Sequence, residues 1–316
     1  MTRADRPRRS CLTVPGSSQR FLDKAHRLPA DEIILDLEDA VAPAAKETAR
    51  GLVAGAAAGD WAGRLLAVRI NGAASQWAYA DVIEVVERAG ARLDAIVLPK
   101  VSAPGHVIWL DLLLGQLERA AGLPHASIAI EAQIEDAAGL AAVDDIAAAS
   151  GRLAALVFGP ADFMASVGMR SLRIGAQPAG YAGGDAFHYP LLRILVAARS
   201  AGLQAIDGPY AAIGDTAGLS ASAASAAALG YDGKWVLHPE QIGPVNAAFS
   251  PDQAQYDRAE LILDAYEHAI TAARRGAVRL GDEMIDEASR KLALVAAARG
   301  RAAGLTRTER FTPPTA

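Results

Sequence analysis

Eight short apolar runs, separated by longer stretches of helical period, constrain this chain more than any other feature. They are CLTV (Cys11–Val14), EIILDL (Glu32–Leu37), LLAVRI (Leu65–Ile70), AIVLP (Ala95–Pro99), SIAIEAQI (Ser127–Ile134), AALVFG (Ala154–Gly159), LQAID (Leu203–Asp207) and GKWVLH (Gly233–His238). Each is strand-length, rich in Leu or β-branched residues, and bounded by Gly, Pro, Asp or Asn. Runs that stay apolar without alternating are what strands covered on both faces look like, because neither face meets water. Between them, ADVIEVVERAG (Ala80–Gly90) and HVIWLDLLLGQLERAAG (His106–Gly122) carry the helix period. Strands alternating with helices predict βαβ units and a parallel sheet. Eight such units in about 250 residues predict an α/β fold of the closed (β/α)₈ TIM-barrel type. An open doubly wound sheet is the alternative, but no GxGxxG follows the first run.

The chain has 316 residues, more than the barrel needs. Residues 1–250 are read as the barrel and 251–316 as an appended helical region. Within the latter, Gln253–Arg275 reads as one long helix capped by Ser250, followed by GAVRLGDEMID (Gly276–Asp286) and a second helix. The residues from Arg301 to Ala316 read as a loose tail. At the other end, MTRADRPRRS is basic but lacks the apolar core of a secretory signal, so it reads as a solvated, frayed arm. The connection Ala161–Leu191 is long and holds Arg170, Arg173 and GYAGGD (Gly180–Asp185), as a surface loop or a cover over the site would. A net charge of -5 argues against a broad nucleic-acid surface, and a single cysteine, Cys11, excludes an intrachain disulfide. No apolar stretch is long enough for a membrane span. The expected location is cytoplasmic.

Polar residues cluster just after the runs, where barrel enzymes place their chemistry. Glu135 and Asp162 end the fifth and sixth runs, so neighbouring parallel strands would set two carboxylates side by side. That pair suits Mg²⁺, a cation that prefers oxygen ligands; two separately solvated acids are the alternative. The six histidines are scattered without an HxH or HxxxH pair, which argues against zinc. Arg69 ends the third run and is either a bidentate grip for a carboxylate substrate or an ion-pair partner of Glu38 or Asp39. Glu38 and Asp39 are best read as acceptors that buttress the metal ligands. Arg20 and Lys24, four residues apart, share a helix face that could grip phosphates or simply meet solvent. Asp286 reads on physical grounds as a helix N-terminal acid.

LTVPGSSQRFLDKA, IILDLEDAVAPAAKETAR, VRINGAAS, IVLPKV, VFGPADF and GYDGKWVLHPEQIGPVNAAFSP together resemble the HpcH/HpaI aldolase/citrate lyase β-subunit-like, or CoA-ester lyase, family. DVIEVVERAGARLDAIVLPKV, HYPLLRILVAARSAGLQAIDGPY and GAVRLGDEMIDEAS look most like its malyl-CoA/β-methylmalyl-CoA lyase branch. The match runs from Cys11 to Leu294. The resemblance implies a (β/α)₈ barrel whose C-terminal region is a lid, and a homotrimer or homohexamer. It implies Mg²⁺, with Mn²⁺ as the alternative ion, and an acyl-CoA and a small 2-oxoacid as partners. It further implies that Glu135 and Asp162 bind the metal and that Arg69 holds the 2-oxoacid and polarises its carbonyl. Arg20 and Lys24 would meet the CoA phosphates. Asp286 would be the acid/base that the lid brings to a neighbouring subunit's barrel. The implied reaction is reversible Claisen-type cleavage of a 3-hydroxyacyl-CoA, such as L-malyl-CoA to acetyl-CoA and glyoxylate. A citramalyl-CoA lyase, a malyl-CoA thioesterase, a CoA-independent aldolase and a non-catalytic CoA-binding subunit are the alternatives. One departure concerns the site: the family's segment often reads IET, whereas here it is IEDAAG (Ile134–Gly139), with Asp136 adding a negative charge. Pro160 in FGPAD is a second, at a position where relatives vary.

Overall fold

A computed structural model describes residues 6–61, 63–272 and 274–312. The chain divides into two units, Met1–Phe249 and Ser250–Ala316.

In the first unit eight parallel strands close into a barrel, each paired with the next and β8 with β1. They are β1 (Ser10–Pro15), β2 (Glu32–Asp36), β3 (Leu65–Arg69), β4 (Ala95–Leu98), β5 (Ala129–Ile134), β6 (Leu153–Phe158), β7 (Gln204–Asp207) and β8 (Gly233–Val236). All eight apolar runs are therefore strands, and the (β/α)₈ barrel is the fold. The helices in chain order are α1 (Gln19–Ala25), α2 (Lys46–Ala57), α3 (Ala78–Ala89), α4 (Pro104–Ala120) and α5 (Ala137–Ala141). They continue with α6 (Val143–Ala147), α7 (Pro160–Ser166), α8 (His188–Ser200), α9 (Thr216–Leu229) and α10 (Ile242–Ala248).

The strands look apolar because both faces are covered. Cys11, Ile34, Ala67, Val97, Ala155, Val157, Ile206 and Trp235 form a core cluster of their own. The alternate residues, such as Leu12, Ile33, Leu66, Ile96, Ile130 and Leu156, belong to the larger sheet–helix core. α3 shows how the helices join that core. Val82, Val85, Val86 and Ala89 are buried at one helical spacing, while Glu87 and Arg88 face out. α9 starts at Asp215, whose carboxylate accepts the Gly218 N–H, and stops at Gly230 with φ 118°, a left-handed cap that favours glycine.

The N-terminal arm corrects the sequence reading. From Arg6 onward it is docked, not frayed. Arg6 pairs with Asp94 at 2.8 Å and Arg9 with Asp31 at 2.7 Å. Arg8 is 1% exposed and sits 3.0 Å from Glu131 and 3.4 Å from Glu32. Those two glutamates lie inside apolar runs and are both fully buried, and Arg8 is the cation set beside them.

The second unit consists of α11 (Gln253–Thr271), a hairpin of β9 (Val278–Leu280) and β10 (Glu283–Ile285), and α12 (Glu287–Ala302). Tyr256 and Ala259 pack on Ala293 and Ala297. Gly300 permits this approach, since a Cβ there would lie 2.2 Å from Tyr256 Cδ2. The cap of α11 is Asp252 rather than Ser250, in a reciprocal capping box with Gln255. The tail is also tied down as far as it is described. The Thr308 N–H donates to Asp257 at 2.9 Å and Arg307 pairs with Asp264, so two acids of α11 take the tail. Among the described residues, no helix is long and apolar enough to cross a membrane.

Candidate active site at the barrel mouth

The strand ends build the site from period and register. Along β5 the face that carries Ala129 continues two residues at a time through Glu131 and Gln133 to Glu135, just past the strand. The register of β2 and β3 sets Asp36 beside Arg69. Arg69 donates from Nε to Asp36 Oδ1 and from Nη2 to Asp36 Oδ2, both at 2.7 Å, a bidentate fork. Its Nη1 lies 3.0 Å from Glu38 Oε2, and its guanidinium sits 5.2 Å from the Trp235 ring centre. Burial disfavours the Arg69 charge, but Asp36 and Glu38 outweigh it and hold the group above its usual range. These three contacts use three of its five N–H bonds. The expected ion pair with Glu38 is present, but Asp36 is the main anchor of Arg69.

Glu135 is 3% exposed. Its Oε1 accepts the Lys100 backbone N–H at 2.6 Å and its Oε2 accepts Gln133 Nε2 at 2.7 Å. Burial, then the charge of Glu38, pushes its carboxyl up to about 8; Asp162 adds to this, while the Lys100 N–H and Arg69 act against it. Glu38, Glu135 and Asp162 therefore share one electrostatic neighbourhood. Asp162, in the first turn of α7, is the open member, with its side chain 42% exposed. Lys100 joins the group. Its Nζ contacts Glu38 and lies 3.2 Å from Asp39 and 3.5 Å from Asp162. Burial raises the Glu38 carboxyl despite Arg69 and Lys100. Burial also pushes Asp39 upward, but Lys100 overrides it and holds that carboxyl low. Lys100 was visible in the sequence only as the residue after Pro99. Nothing there showed that its side chain would reach the segments that follow β2 and β6.

Arg20 and Lys24 are exposed on α1, with Arg20 5.0 Å from the Phe21 ring centre. Lys24 borders a cavity of about 220 Å³ with Phe21, Leu28 and His238. Glu38, Asp39 and Lys100 border another of about 440 Å³, together with Lys46, Asn71 and Trp77. Asn71 is held there by Asp81, which accepts its side-chain amide at 2.7 Å. Asp136 has a local explanation. It caps α5, accepting the Gly139 N–H at 2.5 Å, a task Thr also performs. Asp286, in the second unit, caps α12. Its Oδ1 accepts the N–H groups of Ala288 at 2.9 Å and Ser289 at 3.1 Å. The Ser289 N–H leads in keeping this carboxyl below its usual range, so it is ionised at neutral pH.

The donor set suits a hard cation. Glu135 and Asp162 offer oxygen only, one carboxylate buried and one open, and Gln133 Oε1 is a buried acceptor without a hydrogen bond. Mg²⁺ commonly takes one or two carboxylates and fills its other positions with water and substrate. Among the described residues, no three His, Cys, Asp or Glu side chains are grouped to enclose a metal.

Comparison with known proteins follows the same line. A family model described as HpcH/HpaI aldolase/citrate lyase matches residues 9–239. The L-malyl-CoA/β-methylmalyl-CoA lyase of Cereibacter sphaeroides is 39% identical over 299 residues, covering 92% of this chain and 93% of the relative. The citrate lyase subunit β of Escherichia coli is 34% identical over 287 residues, covering 90% of each. Among solved structures, the protein CitE of Mycobacterium tuberculosis in complex with magnesium, acetoacetate and coenzyme A superposes with a TM-score of 0.73 at 28% identity. The match covers 95% of this chain and all of that one.

Proposed function

We propose, from the premise that the chain belongs to the HpcH/HpaI aldolase/citrate lyase family and is a carbon–carbon lyase, that it is a Mg²⁺-dependent CoA-ester lyase. Its reaction would be the reversible Claisen-type cleavage of a 3-hydroxyacyl-CoA, with L-malyl-CoA giving acetyl-CoA and glyoxylate as the leading candidate. The observation that carries this reading is the pairing of an anchored guanidinium, Arg69, with the carboxylates Glu135 and Asp162 around one barrel mouth. The 39% identity to an L-malyl-CoA/β-methylmalyl-CoA lyase supports the choice of substrate.

Glu135 and Asp162 would hold the ion. Bound magnesium would supply Lewis acidity to the carbonyl of the oxoacid and a fixed point for its carboxylate. Asp36 keeps the Arg69 fork from turning, so its two remaining N–H bonds meet the substrate oxygen already oriented. They stabilise the negative charge that grows there as the C–C bond breaks. Glu38 and Asp39 hold Arg69 and Lys100 in place. Arg20 and Lys24 would bind the CoA phosphates. Asp286, supplied by a neighbouring copy in a homotrimer or homohexamer, would remove a proton from the acetyl-CoA methyl in condensation; in cleavage it would take up the proton released by the 3-hydroxyl and deliver it to the enolate carbon. A lid formed by residues 251–316 would exclude water during that transfer.

The test is a Mg²⁺-dependent assay on L-malyl-CoA and citramalyl-CoA that scores glyoxylate, pyruvate, acetyl-CoA and free thiol together. Acetyl-CoA with an equal amount of one oxoacid is the expected result and identifies the substrate. Free thiol with no oxoacid would replace the lyase reading by a thioesterase. No product from either ester would favour a binding subunit.

A further inference from the structure

Lys100 touches four carboxylates of the barrel mouth, one through its backbone and three through its side chain. Lys100 has φ 54°, in the left-handed region that a non-glycine residue seldom adopts. That turn sends its backbone N–H to Glu135 Oε1 at 2.6 Å and its side chain across the mouth. There Nζ contacts Glu38, with Asp39 at 3.2 Å and Asp162 at 3.5 Å. The strained backbone is thus tied to a geometry in which an ammonium shares Asp162 with the place a divalent ion would take.

We propose that Lys100 is a built-in competitor for the metal, so that ion binding exchanges the ammonium off Asp162 and the affinity is set below what the carboxylates alone would give. The inference rests on Glu135 and Asp162 being the ligands. An ammonium and a divalent cation repel strongly a few ångströms apart at a partly buried rim. Both cannot hold the exposed oxygens of Asp162 at low cost. The ammonium has a second resting place, because Glu38 and Asp39 lie outside the ligand pair. The backbone N–H that holds Glu135 does not depend on the side chain and stays in place during the exchange. The arrangement keeps the crowded acids folded together while leaving the metal readily exchangeable.

The experiment is titration of the full chain with Mn²⁺ alone, followed by calorimetry and by the paramagnetic signal of the free ion. Lys100→Met removes the charge and keeps the bulk. Lys100→Gly removes the side chain while favouring the left-handed backbone. Both should bind Mn²⁺ at least about fivefold tighter than wild type, because the competitor is gone, and Lys100→Arg should stay near wild type. Equal or weaker binding in the Met and Gly variants would overturn the proposal. So would an Arg variant that behaves like Met, since charge would then not be the cause. Glu135→Gln and Asp162→Asn are the separate check on the ligands. If they bind Mn²⁺ normally the metal site itself is misassigned; if they lose it while Lys100→Met gains nothing, only the competition fails.

Discussion

Replacing Glu131 by Gln tests how the barrel floor carries its charge. Glu131 and Glu32 are both 0% exposed, and one cation, Arg8, stands 3.0 Å from the first and 3.4 Å from the second. The buried Cys11 thiol and Gln204, which takes Arg8 Nη1, complete the surroundings. Burial first, then the Glu32 charge, holds the Glu131 carboxyl well above its ordinary value of 4.5, against the pull of Arg8. The folded protein therefore keeps this proton while the unfolded chain loses it as pH passes 4.5. With more protons bound in the fold, stability falls as pH rises, by about 1.4 kcal/mol per unit for one group. The loss runs from the ordinary carboxyl range up to the raised one. Gln copies the shape of the protonated acid and has no proton to lose. Glu131→Gln should match wild type within about 1 kcal/mol at pH 5 and gain on it as pH rises, by up to about 1.4 kcal/mol per unit. Urea unfolding of both proteins at pH 5, 6 and 7 measures this. Parallel curves would refute the argument. So would a variant 3–5 kcal/mol less stable at pH 7, the loss expected if Glu131 were the ionised partner of Arg8.

Three further outcomes follow from the mouth and the second unit. Arg69→Lys keeps a positive charge but cannot grip Asp36 and a substrate oxygen together, so turnover should fall about 10²–10³-fold, and a loss below tenfold would contradict the assigned role. Asp286→Asn should leave the α12 cap and CoA-ester affinity intact, because Asn caps as well as Asp, while turnover drops about 10²–10⁴-fold; a fully active variant would remove Asp286 from the chemistry. Gly159→Ala would place a Cβ 2.4 Å from Glu135 Oε2 and 2.4 Å from Glu135 Cβ, forcing that carboxylate aside. Its Mn²⁺ dissociation constant should rise about tenfold or more, and an unchanged constant would show that Glu135 is no ligand.

The strands were legible because burial on both faces leaves apolar runs with little else in them. Glu135, Asp162 and Arg69 were legible because a barrel puts its polar residues at strand ends, and those are visible as the places where each run stops. The same rule hid Glu32 and Glu131. Their inward positions alternate with outward Leu and Ile, so a buried acid looks like one polar letter in an apolar word. Asp36 was hidden as the anchor of Arg69 because the register between β2 and β3 is a long-range fact. Lys100 was hidden because its reach depends on a backbone angle that no local pattern marks. Arg8 was read as part of a solvated arm because composition cannot tell a free cation from one with a buried partner far along the chain. The role proposed for Asp286 came from the family resemblance alone; its local sequence explains only the helix cap that it forms.

Arg8 also bears on the order in which the molecule assembles. It lies ahead of the first strand, yet it meets side chains of β2, β5 and β7, the last of them 196 residues further along. During synthesis it emerges early and waits with its charge in water until the partners arrive. A half-barrel that ended after β4 would hold Glu32 and Arg8 but neither Glu131 nor Gln204, so its floor would stay incomplete. The arm therefore acts as a late closing stone. The barrel gains it only when nearly all strands are present, which favours completion as one cooperative event over accumulation in halves.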